Sequence, residues 1–435
     1  MKRKALIIVE NQSVPPDFRV LKEARSLRDN GYDVTVLCPR SKNWSRGLEV
    51  FEGIRIYRHP TSREGSTTGG YLWEYGCALF WELLYTCWIF LRHGFQVIQG
   101  CNPPDNLFLV ALPFKFFGVK YIFDHHDASP ELYLSKSGKT TFLHKILLAL
   151  ERGTYHFSDA VMVTNNSYKQ LAITRGGVAA EDVFVVRNGP DLKTFQPVAP
   201  NPALKDGRRY LIGYVGTMNS QDGLDILVEV AQYIKGLGRR DIRFVCVGGG
   251  PELPTLRKMV RDRDLTDTIH FTGFIPDLEM LEVLSTADVC VNPDRPCEMN
   301  DISTMIKIME YMALGKPIVQ FDSKEGRFSA QEASVYADKA DPISSFAHKI
   351  LWLLERPDEL RSRGEFGRAR VEHELAWGRS VGHLLAAYES VFRERVGFRG
   401  LDGRRHKQEP GRDQQVPIIA TGDASQDTQQ ARGQS

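Results

Sequence analysis

Along this chain, short apolar runs alternate with segments whose apolar residues return every three or four positions. The runs read as buried strands and the segments as amphipathic helices. In the first half, strands are expected at 4–10, 32–39, 53–60, 95–100, 120–126, 159–165 and 182–189. Between the first two, Val20, Leu21, Ala24 and Leu27 fall at helical spacing, with Asp17 as a candidate N-cap and Gly31 as a stop. Residues 191–208 are rich in proline and polar residues and read as a linker. The alternation then restarts, with strands at 210–217, 242–251, 269–275, 287–293 and 317–322 and a weaker one at 332–338. Strand and helix in strict alternation predict an α/β chain of two doubly wound parallel sheets. The expected plan is a first domain over 1–190, a second over 209–376, and an amphipathic helix over 377–396 that packs back on the first domain. From 397 to 435 the chain is polar and reads as a disordered tail.

Composition narrows the picture only in places. A length of 435 residues exceeds one ordinary core, in keeping with two domains. A formal net charge of +2 gives no ground for a nucleic-acid partner. Seven cysteines, an odd number without a C-x-x-C pair, argue against a disulfide framework or a zinc site and for a reducing, cytoplasmic setting. The apolar run in MKRKALIIVENQ is too short for a secretory signal and reads as the first strand. Residues 71–91 approach the length of a membrane span, but Glu74 and Glu82 interrupt them. A charge at the centre of a span costs about 2.5–3.5 kcal/mol, so a helix covering the sheet or lying at a membrane surface is expected instead. The segment LPFKFFGVKYIF (112–123), with Lys115 and Lys120, offers apolar surface of the same kind. Peripheral contact with the inner face of the plasma membrane is therefore one open reading.

Ligands of doubly wound sheets sit at the carboxyl ends of the strands, so the loops there carry the candidate chemistry. In VGGGPE (247–252) a strand enters glycines, Gly249 among them, and then a helix. In YVGTMNSQDG (214–223) Gly216, Thr217, Asn219 and Ser220 are small or hydrogen-bonding; a phosphate cradle and a capped turn both fit. FDHHDASPELY (123–133) brings His126 and Asp127 to a strand end, without the spacing of a closed zinc site. SVPPDFRVLKEA (13–24) offers Asp17 and Arg19. In NDISTMIKIMEYMALGKPIV (300–319) a helix is expected to begin near Ser303 or Thr304, either of which could cap it. Lys307 and Glu310, three apart, share one of its faces. They read either as a surface ion pair or as a glutamate free to accept two ribose hydroxyls.

The segments VVRNGPDLKTFQP, YVGTMNSQDGLDILVEVA, FVCVGGGPELPTLRK, IHFTGFIPDLEMLEVLSTADVCVNP and IMEYMALGKPIV follow in this order. Together they resemble the retaining glycosyltransferases called group 1, or family four, with the GT-B fold; the resemblance covers about 3–395. It implies two Rossmann-like domains facing a cleft, an acceptor-binding first domain and a second that takes a nucleotide sugar, with a UDP- or GDP-sugar as co-substrate. No cofactor and no metal are implied. The acceptor would be a glycan, a lipid-linked sugar or a small molecule, and the setting surface polysaccharide or glycolipid biosynthesis. By the resemblance Glu310, the second glutamate of an E-x7-E motif, would bind the ribose. The stretch Ser303, Thr304, Met305 and Ile306 would approach the sugar and diphosphate, and Phe274 would lie beside the base. His126 would stand at the transferred sugar, and Gly216 and Thr217 near the diphosphate. Two departures stand out. Ile302 occupies the place of the first motif glutamate, with Asp301 the nearest carboxylate, and Gln221 and Asp222 replace the usual basic residues, leaving Lys307 to supply positive charge. A non-hydrolysing epimerase-type enzyme of the same fold, or an inactive nucleotide- or carbohydrate-binding module, are the alternative expectations.

Overall fold

The structure is a computed structural model and describes residues 2–61 and 68–393. The expected tail over 397–435 lies outside the described residues. The first sheet comprises β1 (Lys4–Val9), β2 (Asp33–Pro39), β3 (Leu48–Phe51), β4 (Ile54–His59), β5 (Val97–Cys101), β6 (Lys120–His125), β7 (Ala160–Val163) and β8 (Val183–Val185). Their order is β3-β4-β2-β1-β5-β6-β7-β8, parallel throughout except for β3, which runs antiparallel to β4. The second sheet comprises β9 (Tyr210–Val215), β10 (Ile242–Val247), β11 (Ile269–Gly273), β12 (Val289–Asn292), β13 (Ile318–Phe321) and β14 (Ser334–Ala337), all parallel in the order β11-β10-β9-β12-β13-β14. Chain direction across each sheet reverses once, between β1 and β5 and between β9 and β12, and a crevice opens outside the carboxyl ends at such points.

The continuous apolar strands follow from burial on both faces. In β1, Ala5, Ile7 and Val9 pack on one side with Val20, Leu27 and the helix Trp377–Ser390, while Leu6 and Ile8 pack on the other with Phe123 and Ile89. The C-terminal helix therefore completes the core of the first sheet, where Trp377, Leu384 and Tyr388 are buried. Edge strand β3 was not expected. Its Leu48 and Val50 are exposed, so it lacks the buried run that marks the other strands, and it pairs through a turn at Glu52 and Gly53.

The suspect segment 71–91 forms most of the helix Thr68–His93. Its inner side contributes Ile89 to the core, while Trp73, Phe80 and Leu91 are exposed. Among the described residues, no helix is long and apolar enough to cross a membrane. All seven cysteines are free.

Candidate active site

In the second sheet, the loops after β9, β10, β11 and β12 interlock. Gly248 sits at φ +119°, and a side chain there would strike the carbonyl of Gly216 at 2.0 Å, so the loops after β9 and β10 touch backbone to backbone. A side chain on Gly249 would meet the Phe274 ring at 2.8 Å; that ring is 85% exposed and forms an open wall. The Met218 N–H donates to the Gly249 carbonyl at 3.0 Å. Asn219 and Asp222 form a capping box around a short turn, so the capped-turn reading describes Asn219, while Thr217 is exposed. The loop after β12 is tied in by Arg295 N–H and Asn300 Nδ2, which donate to the Gln221 carbonyl at 3.0 and 3.1 Å.

The helix carrying Glu310 does not begin at Ser303 or Thr304. A short helix, Glu298–Ile302, ends at Ser303, and a second, Ile306–Ala313, starts from Met305 without a side-chain cap. Ser303 is used otherwise, its hydroxyl donating to the Met299 carbonyl at 2.7 Å. Nor do Lys307 and Glu310 make a surface pair. Lys307 turns inward, with Nζ 2.8 Å from Asp294 Oδ1, 3.5 Å from Asp222 Oδ1 and 4.9 Å above the Tyr214 ring. Burial alone would lower its pKa, but Asp294, Tyr214 and Asp222 outweigh it and hold the ammonium charged. Asp294 is pushed up by its own burial despite that cation. Glu310 faces elsewhere, and among the described residues its carboxylate accepts no hydrogen bond. Burial raises it to about 7, against the charges of Lys22 on the first domain and of Lys307. Asp301 turns away, accepting from the Lys324 N–H at 3.0 Å and lying 3.9 Å from Lys339 Nζ. Ile302 packs against the core cluster of the first sheet, and its carbonyl accepts from Asn165 Nδ2 at 2.9 Å.

On the first sheet, the two adjacent histidines at the end of β6 have different fates. His125 is a core residue stacked 4.7 Å from the Tyr168 ring, and burial pushes its pKa down to about 3. His126 keeps 13% of its side chain exposed, and its Nε2 lies 2.6 Å from Asp124 Oδ2. Burial would lower its pKa, but the Asp124 charge raises it above the ordinary histidine value. Asn102, after β5, staples this loop: its Oδ1 accepts the His126 and Asp127 N–H groups at 2.6 and 3.2 Å. Arg19 lies behind the histidine rather than on the acceptor surface. It is buried, with Nη2 2.6 Å from Asp124 Oδ1 and 3.2 Å from Glu23 Oε1. Asp17 is the N-cap of the helix Phe18–Asp29, accepting from the Val20 N–H at 3.0 Å. Ligand atoms of Glu23, Cys101, Asp124 and His126 lie within 4.8 Å of one another, yet the Arg19 guanidinium already occupies the carboxylates there. A second cation would face that fixed charge.

One hydroxyl joins the two loops of interest across the halves. Tyr168 OH lies 3.0 Å from Ser303 Oγ and accepts from the Ala128 N–H at 3.3 Å, so it joins the loop of His126 to the stretch before the Glu310 helix. Close by, Glu325 of the second domain accepts from Ser167 N–H and Oγ at 3.1 and 2.7 Å. Asn165, Ser167, Tyr168 and Glu325 were not among the sequence candidates. VTNNSY carried a signal: Asn165 ends a strand and caps the helix Asn166–Thr174, the pattern that singled out the other loops.

A family model described as glycosyl transferases group 1 matches residues 209–356, and one described as glycosyl transferase 4-like domain matches 17–189. The chain is 24% identical over 391 residues to the 2-deoxystreptamine glucosyltransferase of Streptomyces kanamyceticus, covering 86% of this chain and 98% of that protein. Over 144 residues it is 28% identical to the amylovoran biosynthesis glycosyltransferase AmsK of Erwinia amylovora, covering 33% of this chain and 34% of that one. Among solved structures, sucrose-phosphate synthase from Thermosynechococcus elongatus superposes with a TM-score of 0.74 at 19% identity, over 90% of this chain and 99% of the other. Two facing parallel-sheet domains, each matched by a glycosyl transferase model along its own sheet, make this chain a glycosyltransferase of the GT-B fold.

Proposed function

We propose that the chain moves a sugar from a nucleotide-sugar donor to an acceptor hydroxyl with retention of anomeric configuration and without a metal ion. The observation that carries this reading is the Tyr168 hydroxyl bridge, which sets the His126 loop of one sheet beside the 303–306 stretch of the other. Donor and acceptor sides then share one crevice. Glu310, unengaged among the described residues, accepts the two ribose hydroxyls, and the base lies along the Phe274 wall. The free N–H groups at the start of Ile306–Ala313 and the Gly216–Thr217 backbone take the diphosphate. Lys307 reaches that loop from beneath, its Cε 3.5 Å from where a side chain on Gly216 would begin. Such fixed donors stabilise charge as it develops on the leaving diphosphate. That diphosphate takes the acceptor proton, and His126, with a raised pKa, stands at the transferred sugar. Ile302 and the outward turn of Asp301 give a donor-sugar pocket without the first motif carboxylate.

The test is a thermal-shift panel of UDP-, GDP- and ADP-sugars, followed by product analysis by NMR. A donor at one hundred times its Kd stabilises by about 2.7 kcal/mol. The reading requires nucleoside diphosphate release that depends on acceptor; binding without turnover with any acceptor would favour an inactive module instead.

Surface polysaccharide or glycolipid biosynthesis is the setting we propose, in line with the name of the Erwinia relative. A specific observation favours work at a membrane surface. Trp73, Phe80 and Leu91 share their exposure with Phe116, 92% exposed, and Phe117, with Arg92 and Lys120 near by in sequence. Aromatic residues with basic neighbours suit an anionic bilayer and a lipid-linked acceptor. Failure to float with anionic vesicles would remove this part of the proposal.

A further inference from the structure

The C-terminal helix Trp377–Ser390 does more than close the core of the first sheet. From it Tyr388, fully buried, donates its hydroxyl proton to Gln99 Oε1 at 2.6 Å. The Gln99 amide, also fully buried, donates through Nε2 to Glu23 Oε2 at 2.6 Å and to Asp124 Oδ2 at 3.0 Å. The same Asp124 oxygen meets His126 Nε2 at 2.6 Å.

We infer that Tyr388 is a positioning residue for His126, acting across the buried chain Tyr388, Gln99, Asp124, His126 to fix the ring and its tautomer. The inference goes beyond the proposed reaction, and its catalytic consequence rests on His126 standing at the transfer site. The direction of the first bonds follows from Tyr388, and that of the last from the ionised Asp124. A buried tyrosine hydroxyl next to carboxylates stays protonated, as burial, Glu23 and Asp124 raise its pKa well above the ordinary value. It therefore donates, and Gln99 must present oxygen to it. With the oxygen committed, the amide NH2 points at Glu23 and Asp124; the flipped amide would set oxygen against the Asp124 carboxylate. Asp124 is held ionised, its burial outweighed by Arg19 and His126, so it can only accept. His126 must then donate from Nε2, which leaves Nδ1 as the working nitrogen. The charged and titratable groups around the ring are Asp124 on β6, Arg19 and Glu23 on the helix Phe18–Asp29, and Cys101 at the end of β5. Glu23 is raised to about 8 by burial and by Asp124, which leaves Asp124 as the anion that faces His126 at neutral pH.

The test substitutes Tyr388→Phe in the full chain. The ring keeps its edge contact with Tyr32, centroids 5.4 Å apart, and only the hydroxyl goes. Histidine ring nitrogens are followed by 15N NMR, with the His126 signals assigned by their loss in His126→Gln. In the wild type His126 holds its proton on Nε2 and titrates above the ordinary histidine value. In Tyr388→Phe the loosened Gln99 amide no longer shares the Asp124 charge, so the midpoint rises by about one pH unit, the equivalent of one hydrogen bond, and both tautomers are seen. In an Asp124→Asn background the same substitution changes nothing further. An unchanged tautomer and midpoint in folded Tyr388→Phe, or the full rise recurring in the Asp124→Asn background, overturns the inference. Should Tyr388→Phe not fold, Gln99→Met cuts the same chain one step later and is read the same way. Where the wild type transfers, kcat of Tyr388→Phe falls about tenfold with the nucleotide-sugar KM unchanged. The NMR readout needs no turnover, so absence of transfer by the wild type counts against the proposed function alone.

Discussion

Each sheet ends in a buried cation set between two carboxylates, and the two clusters are built differently. At the first sheet the cation is Arg19, forked onto Asp124 with a second contact to Glu23, and its Nη1 donates to the Val186 carbonyl at 2.8 Å. A guanidinium is permanently charged and fits a carboxylate through two parallel contacts, so this cluster is locked. At the second sheet the cation is Lys307, a single ammonium on a flexible stem between Asp294 and Asp222, lying over Tyr214. It has no fork to hold it. Asp294 has its pKa raised and can take up a proton if the ammonium moves. The comparison separates a forked guanidinium beside His126 from an ammonium held by single contacts, which under the proposed function would face a diphosphate.

The contrast is broken most directly by removing each cation. Arg19→Met strands the buried Asp124 carboxylate and is expected to cost about 3–5 kcal/mol in chemical denaturation. Lys307→Met strands Asp294, which can neutralise itself, and is expected to cost about 1–3 kcal/mol. The nucleotide-sugar thermal shift should shrink in Lys307→Met and survive in Arg19→Met. Equal stability losses, or a donor shift lost in both, would mean that the two clusters serve the same purpose.

How far these clusters could be read in advance differs by the kind of residue. Strands such as Lys4–Val9 and Ile242–Val247 were legible because both of their faces are buried, which leaves an uninterrupted apolar run. Leu48–Phe51 was not, because half of it faces solvent at a sheet edge. His126 was found from its place at a strand end, but nothing local distinguishes it from His125; the distinction comes from Tyr155 and Tyr168, far along the chain. The surface-pair reading of Lys307 and Glu310 fails because helical spacing reports neighbours on one element only. Its true partners, Asp294 and Asp222, come from two loops on other strands. The break at Ser303 was hidden because Glu298–Ile302 and Ile306–Ala313 read as one apolar pattern.

Glu310 sharpens the comparison through pH. Its pKa is raised from the ordinary glutamate range to about 7 in the folded chain, so folding favours its protonated form. The stability this contributes is fully present below the unfolded value of about 4.5 and is lost as pH rises through about 7. Glu310→Gln should therefore gain on the wild type between pH 5 and pH 8, by on the order of 1–3 kcal/mol, in melting curves without ligand. Bound donor should reverse the ranking, since ribose hydroxyls prefer the ionised carboxylate. A difference between variant and wild type that stays flat across this range would mean that Glu310 is not held in the protonated form.

The smallest expected effect lies where the two regions join. Tyr168→Phe keeps the stacked ring on His125 and removes only the hydroxyl between Ser303 and Ala128. One lost hydrogen bond is worth about 0.5–1.5 kcal/mol, so melting should change little. Function should change more than stability, because that hydroxyl ties the His126 loop directly to the stretch before Ile306, while Asn165 and Ser167 hold the two sheets together beside it. Donor binding, which the proposed function assigns to loops of the second sheet, should keep its thermal shift, and kcat should fall while the donor KM holds. If the donor shift falls along with kcat, Tyr168 shapes the 303–306 stretch itself. The Arg19 and Lys307 clusters would then belong to one continuous site rather than two.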